Sequence, residues 1–192
     1  MSINYRIASK EDFPFLSTLR LKIFYEFPYI YEGSLEYELQ YLETYLSSSN
    51  ARIFLVSDDD AIVGATSCLP LLDEGDDLKN PIIQAGYRIQ EILYFGESVL
   101  LGQYRGRGIG VTFFDLRESY ALELGLRYCL FCSVVRPPDH PLKPSHYEPL
   151  DSFWEKRGYS KIPNCFTYFD WKDRGEEHST KKALQFWIKK IS

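Results

Sequence analysis

The stretch Gln103-Tyr104-Arg105-Gly106-Arg107-Gly108-Ile109-Gly110 sets three glycines at alternate positions, interleaved with Arg105 and Arg107, directly ahead of a run with helical periodicity. Glycines let the backbone approach a ligand closely, and a helix beginning just after them aims free N–H groups and a partial positive charge at it. Phosphate oxygens are the natural guest. Arg105 and Arg107 add cationic charge, although in a turn either can simply be solvated. A Walker A loop is excluded, because no Lys-Ser or Lys-Thr follows a glycine here. A dinucleotide fingerprint is disfavoured, because the third glycine arrives one residue early and the turn follows the fourth expected strand, not the first.

Working outward, Glu91 to Leu101 is apolar enough for a central strand and runs directly into the turn. Ile109, Phe113, Leu116, Tyr120 and Leu124 mark an amphipathic helix ending near Gly125, and Tyr128 to Val135 reads as a buried strand. Strand, glycine turn, helix and strand make an α/β crossover unit. Upstream, Tyr5 to Ile7 predicts a strand, and Ser9 to Asp12 a cap for a helix through Phe13, Leu16, Leu19 and Ile23. A second helix over Ser34 to Ser47 aligns Leu35, Leu39, Leu42 and Leu46 on one face. Arg52–Val56 and Ala61–Leu69 form a hairpin around the acidic turn at 58 to 60, followed by a polar loop from Asp73 to Asn80. Downstream, the prolines of 136 to 144 exclude regular structure. Asp151 caps a short helix closed by Gly158, Phe166 to Trp171 is a late strand, and a final helix is expected over about 180–190. With no linkers or repeats, residues 1–192 read as one domain.

The chain has 192 residues, 45% hydrophobic and 26% charged, an ordinary globular balance. Its net charge of -5 argues against nucleic acid as a partner, since phosphate binding needs a basic surface. No segment approaches the about 20 apolar residues that span a bilayer, and the first six residues lack an apolar leader, so a cytoplasmic protein without membrane association is expected. Of Cys68, Cys129, Cys132 and Cys165, only 129 and 132 have C-x-x-C spacing, and they lie in an expected buried strand, where inert thiols are the simpler reading. His140 and His146 share a loop without a third ligand at diagnostic spacing, so no metal is expected.

The chain resembles the GCN5-related N-acetyltransferase (GNAT) family. Its pyrophosphate pattern [QR]-x-x-G-x-[GA] is matched by Gln103 to Gly108 and again by Arg105 to Gly110. Phe153-Trp154-Glu155-Lys156-Arg157-Gly158-Tyr159 resembles the family's F-Y-E-K-x-G-F segment. The two motifs span about residues 92 to 160. The resemblance implies an α/β domain with a mixed, mostly antiparallel sheet splayed at the acyl-CoA site and flanked by helices. It also implies acetyl transfer from acetyl-CoA to a primary amine by direct attack, and a small-molecule acceptor is favoured over a protein because nothing in the sequence advertises a peptide groove or a partner domain. The coenzyme would lie on Val99, Leu100 and Leu101, together with Ser98, and on Gln103, Arg105, Gly106, Arg107, Gly108, Ile109 and Gly110.

Direct attack needs a neutral amine, and an alkylamine with a pKa near 10.4 is mostly protonated at neutral pH, so a carboxylate is useful as base. Glu97 beside the coenzyme strand is the first candidate and Glu91 the second. The family often takes its acid from the tyrosine of F-Y-E-K, and that position is Trp154, which has no acidic proton to give. Tyr147, Tyr159 and His146 are the alternatives, with Tyr147 preferred and Tyr159 read as packing. The rings of Phe24, Tyr25, Phe27, Tyr29 and Tyr31 suit a cationic amine, or else seal a core edge or a homodimer contact. A noncatalytic acyl-CoA-binding or regulatory module is the competing reading.

Overall fold

The computed structural model describes residues 2–192, apart from the side chains of Thr44 and Leu46. Its elements run β1 (Ile3–Ile7), α1 (Phe13–Phe24), α2 (Leu35–Ser47), β2 (Arg52–Asp58), β3 (Ala61–Pro70), α3 (Asp76–Gln84), β4 (Ile92–Leu100), α4 (Ile109–Glu123), β5 (Tyr128–Val134), α5 (Asp151–Lys156), β6 (Ser160–Trp171) and β7 (Thr180–Lys190). The strands form one sheet in the order β1-β2-β3-β4-β5-β7-β6. Only β4 and β5 pair parallel, as the crossover through α4 requires, and the other pairs are antiparallel. No described helix is long and apolar enough to cross a membrane.

Two cores lie on opposite faces of the sheet. One joins Leu16, Leu19 and Leu42 of the first two helices to Leu55, Ile92, Tyr94, Leu130 and Phe186. The other packs Phe114 and Tyr120 of α4 on Leu93, Phe95, Phe131 and Trp187. Alternate side chains of β4 thus reach alternate cores, as the pleat dictates.

Four local expectations are corrected. Thr180–Lys190 is strand β7, paired on one edge with β5 and on the other with β6. Phe186 and Ile188 fill one core while Trp187 fills the other, so burial on both faces erases the alternation that marks a strand, and the ladders override good helix formers. The expected loop from Asp73 to Asn80 contains the start of α3, where Asp76 and Asp77 stand at the positive end and Leu78 and Ile82 are buried one turn apart. Pro81 removes the donor for the Asp77 carbonyl, and the Thr167 hydroxyl replaces it at 2.8 Å. In α2 the buried stripe is Glu38, Leu42 and Tyr45, whereas Leu35 is exposed. Leu46, expected with Leu42, lies outside the described residues. The cap of α5 is also displaced: Asp151 is its first residue and pairs with Lys161 at 2.6 Å.

Candidate active site

Strands β4 and β5 pair only from Ile92–Tyr128 to Tyr94–Leu130, although both run on. The cause is a bulge. Thr66 pairs with Ser98 and Cys68 with Phe95, so Gly96 and Glu97 together oppose Ser67 alone. A bulge bends its strand and re-aims a side chain. Here Gly96 and Glu97 both face α1 and α2, Gly96 against Tyr45 and Glu97 against Arg20. Beyond it β5 follows β7, and β4 keeps only β3.

Along that remaining ladder the Leu101 amide donates to the Val63 carbonyl at 2.9 Å. Peptide groups alternate between edges in an antiparallel pair, so Val99 shares the β3 side with Leu101, while Ser98 and Leu100 turn theirs to the open edge. Of the expected coenzyme strand, Ser98 and Leu100 therefore face the open edge, where the Leu100 carbonyl accepts from Arg105 Nε at 3.3 Å. Val99 is fully buried, and Leu101 packs against the first core and against a smaller cluster of Val56, Val63, Ile109 and Phe113.

At the end of the open edge, Gly106 and Gly108 adopt φ of 75° and 84°, a left-handed geometry that glycine takes without strain. They swing the chain into α4, whose first amides have no intrahelical acceptor and point back over the turn. Tyr104 anchors the turn by donating to Asp58 at 3.0 Å. Arg105 pairs with Glu26 at 2.8 Å, and the Arg107 guanidinium lies 5.2 Å from the Tyr104 ring centroid. Ile109 is buried in the core, so only its backbone faces the turn, and Gln103 is exposed.

These features open into one cleft of about 1300 Å³, above the usual range for a single small ligand. Leu100, Arg105, Gly106, Gly108 and Gly110 line it together with Glu97, Tyr147, His146 and Trp154. Phe24, Phe27 and Tyr29 of the aromatic run form another wall, whereas Tyr25 is 46% exposed. Tyr147 meets Phe27 edge-on at 4.7 Å between centroids, which closes the proline-rich loop over the segment between α1 and α2. That segment is itself held by Arg136, which donates to the carbonyls of Pro28 and Tyr29 at 2.7 Å each and grips Asp173 at 2.5 and 2.8 Å.

Glu97 is tied into a buried network that sequence reading missed. Its carboxylate accepts from the Tyr41 hydroxyl at 3.1 Å and pairs with Arg20, which also pairs with the fully buried Glu38. The guanidinium lies over the Tyr41 ring at 4.1 Å. Two carboxylates thus share one cation. Burial drives the Tyr41 and Tyr45 hydroxyls far above their ordinary pKa and keeps them donors. The Glu97 peptide is fixed too: its amide donates to Ser67 at 3.2 Å, and its carbonyl accepts from Thr66 at 2.8 Å and Arg117 at 3.4 Å.

Other candidates are placed elsewhere. Glu91 stands in the turn ahead of β4, not on the strand, and pairs with Arg88 at 3.0 Å and Arg127 at 3.6 Å. Tyr159 is buried and donates to Glu118 at 2.9 Å, as a packing residue would. Trp154 meets Phe131 and Trp187 edge-on at 5.1 and 5.0 Å. The His140 ring accepts from the Leu142 amide at 3.1 Å. Burial pushes the Cys129 and Cys132 thiols up to about 12, which leaves them unreactive near neutrality, and no group of three metal-binding side chains exists among the described residues.

No family model and no curated protein matches the sequence. Solved structures match its fold end to end. A structure of yncA from Salmonella typhimurium with its cofactor acetyl-CoA covers 100% of this chain and 95% of its own, at 10% identity and a TM-score of 0.63. A ribosomal-protein-alanine N-acetyltransferase from Brucella melitensis covers 97% and 99%, at 16% identity and 0.63. A variant of the spermidine N-acetyltransferase SpeG from Vibrio cholerae covers 99% and 94%, at 12% identity and 0.61. The single α/β domain, the parallel pair splayed at a bulge and the glycine turn opposite it thus accompany a whole-chain likeness, and the chain has the fold of the GCN5-related N-acetyltransferases.

Proposed function

We propose that the chain transfers an acetyl group from acetyl-CoA to a primary amine of a small molecule by direct attack. The observation that carries this reading is the cleft where β4 leaves β5, with the N-terminus of α4 at one end and Glu97 at the other. The pyrophosphate would sit on the Gly106–Gly110 backbone. The pantetheine arm would run along the open-edge Ser98 and Leu100 peptides as an added strand, taking the place of Arg105 at the Leu100 carbonyl, which brings the thioester to the bulge. The chain carries a net charge of -5, yet six Lys and Arg line the cleft (Arg105, Arg117, Arg136, Lys143, Lys161 and Arg174) against the acidic Glu26, Glu97, Glu148 and Asp151. That local reversal suits an anionic coenzyme.

On the acceptor side, the carboxylate of Glu97 and the Phe24, Phe27 and Tyr29 wall favour an ammonium group. Glu97 takes the proton that the nitrogen sheds. Tyr147, whose pKa burial raises, supplies a hydroxyl proton in the same cleft. The rigid loops around these rings favour a compact acceptor.

The test is calorimetric titration with acetyl-CoA of the wild type and of Gly110→Leu. Gly110 lies in α4 with ordinary helical φ, and a β-carbon there meets only Phe153 at 3.6 Å, so the larger side chain obstructs the cleft without straining the turn. Wild-type binding that Gly110→Leu abolishes establishes the coenzyme site, and a panel of primary amines then measures turnover. No wild-type binding at millimolar coenzyme ends the reading. Trp154, packed where the family has its tyrosine, favours one alternative, a noncatalytic acyl-CoA-binding module, for which binding without turnover on any amine is the signature.

A further inference from the structure

Helix α4 buries an arginine that no acidic side chain neutralises. Arg117 is 2% exposed, donates to the Phe113 carbonyl at 3.1 Å and to the Glu97 carbonyl at 3.4 Å, and places its guanidinium 3.9 Å from the Phe95 ring centroid and 5.0 Å from that of Phe114. Among the described residues no carboxylate forms an ion pair with it. The titratable groups around it are neutral or committed. Burial pushes the Cys68 and Cys129 thiols up to about 12. Tyr159 is likewise held as a phenol and donates to Glu118, whose second oxygen pairs with Lys189 at 2.7 Å.

Carbonyl dipoles and ring faces ease the burial of a guanidinium but cancel none of its charge, and an uncompensated buried charge is costly. Desolvation accordingly pulls its pKa down. The cleft reaches this residue, beside Phe95 and Phe114. Arg117 lies nine residues beyond Gly108, about 13 Å along the helix at its ordinary rise, and level with the bulge through its bond to Glu97. An extended pantetheine arm covers that span.

We propose that Arg117 supplies the positive charge that receives the thiolate of coenzyme A as it departs, in the place where Trp154 offers no proton. The inference rests on the acetyl-CoA reading above. The amine lone pair attacks the thioester carbon, the C–N bond forms, and the C–S bond breaks with its electron pair on sulfur. The proton of the nitrogen goes to Glu97. Arg117 keeps its own proton and holds the sulfur anion, which is protonated afterwards by Tyr147 or water. The missing counter-charge of the buried cation is thus delivered by the reaction.

The experiment compares calorimetric affinities of CoA and desulfo-CoA for the wild type from pH 6 to 9, with absorbance of the bound thiolate as a second readout. Desulfo-CoA lacks the sulfur, so dividing by it removes the titration of Glu97, Tyr147 and every other protein group. The CoA advantage is expected to rise by about tenfold per pH unit below the free thiol pKa of about 8.5, with thiolate appearing at lower pH when bound. Arg117→Lys retains this rise and Arg117→Met loses it. Arg117→Gln, which keeps donors for the two carbonyls, replaces the Met variant if circular dichroism shows that one unfolded. Equal affinities of CoA and desulfo-CoA at every pH overturn the proposal and leave the coenzyme site standing, as does a rise that survives in the uncharged variants. Binding of neither compound removes the acetyl-CoA reading and this inference with it.

Discussion

The hydroxyl of Tyr45 occupies the space where a β-carbon on Gly96 would stand, so α2 reaches the strand bulge only because residue 96 has no side chain. The same hydroxyl accepts from Ser67 at 3.1 Å, and Ser67 in turn accepts from the Glu97 amide. The shape of the splay is therefore set from the helix layer as well as from the strand.

Gly96→Ala is expected to cost about 1–3 kcal/mol by overpacking and to weaken acetyl-CoA binding. Tyr45→Phe removes the obstructing oxygen, so in its background the alanine should cost less. Urea denaturation of the four proteins measures the coupling, and additive costs would show that the two residues do not meet.

Arg20 compensates Glu38 and Glu97, with side chains 8%, 0% and 9% exposed. Arg20→Met strands both carboxylates and should cost about 3–5 kcal/mol, the range for breaking a buried pair. The triple change to Met with Glu38→Gln and Glu97→Gln should recover part of the loss. Equilibrium unfolding at pH 7 measures it, and a loss below 1 kcal/mol would mean that water reaches the cluster.

Arg136 holds the Pro28–Tyr29 segment against Asp173. Arg136→Gln should raise the amine KM by about tenfold and weaken acetyl-CoA less, since the Arg136 charge is already paired with Asp173 and its chief loss is the positioning of the Pro28–Tyr29 segment. Lys182, 3.4 Å from Asp173, limits the stability loss to about 3 kcal/mol. Steady-state kinetics in both substrates separates the two effects.

Asp12 is held down to about 2, chiefly by its paired hydrogen bonds from Arg6. Its folded value lies below the unfolded one, so its contribution is complete above pH 4 and disappears as the pH falls through 2. Arg6 is 55% exposed, and screening limits that contribution to about 1 kcal/mol. Asp12→Asn should therefore narrow its stability gap from wild type between pH 5 and pH 2 in acid unfolding curves.

Much of the site was legible because its physics is local. Closely spaced glycines ahead of an amphipathic helix mark a candidate anion site, and the strand on either side follows from apolar runs of the right length. Glu97 could be nominated from its neighbours. Its direction could not, because one extra residue in β4 turns the side chain to the other face, and the bulge exists only when β3 pairs with β4. Strand β7 was misread for a related reason: it is covered on both faces, and its partners lie far off in sequence.

Arg20 and Arg117 did leave a signal. Each is a lone arginine on the apolar stripe of its helix, Arg20 one turn after Leu16 and Arg117 one turn after Phe113. What each faces depends on which elements pack there. The glycine turn, the crossover unit and the aromatic supply can be read from the residues alone, since short-range sterics and periodicity decide those. Where β4 leaves β5, that Glu97 shares a cation with Glu38, and that Arg117 is buried without an anion emerge only on folding, because charge compensation is settled between residues that meet only then.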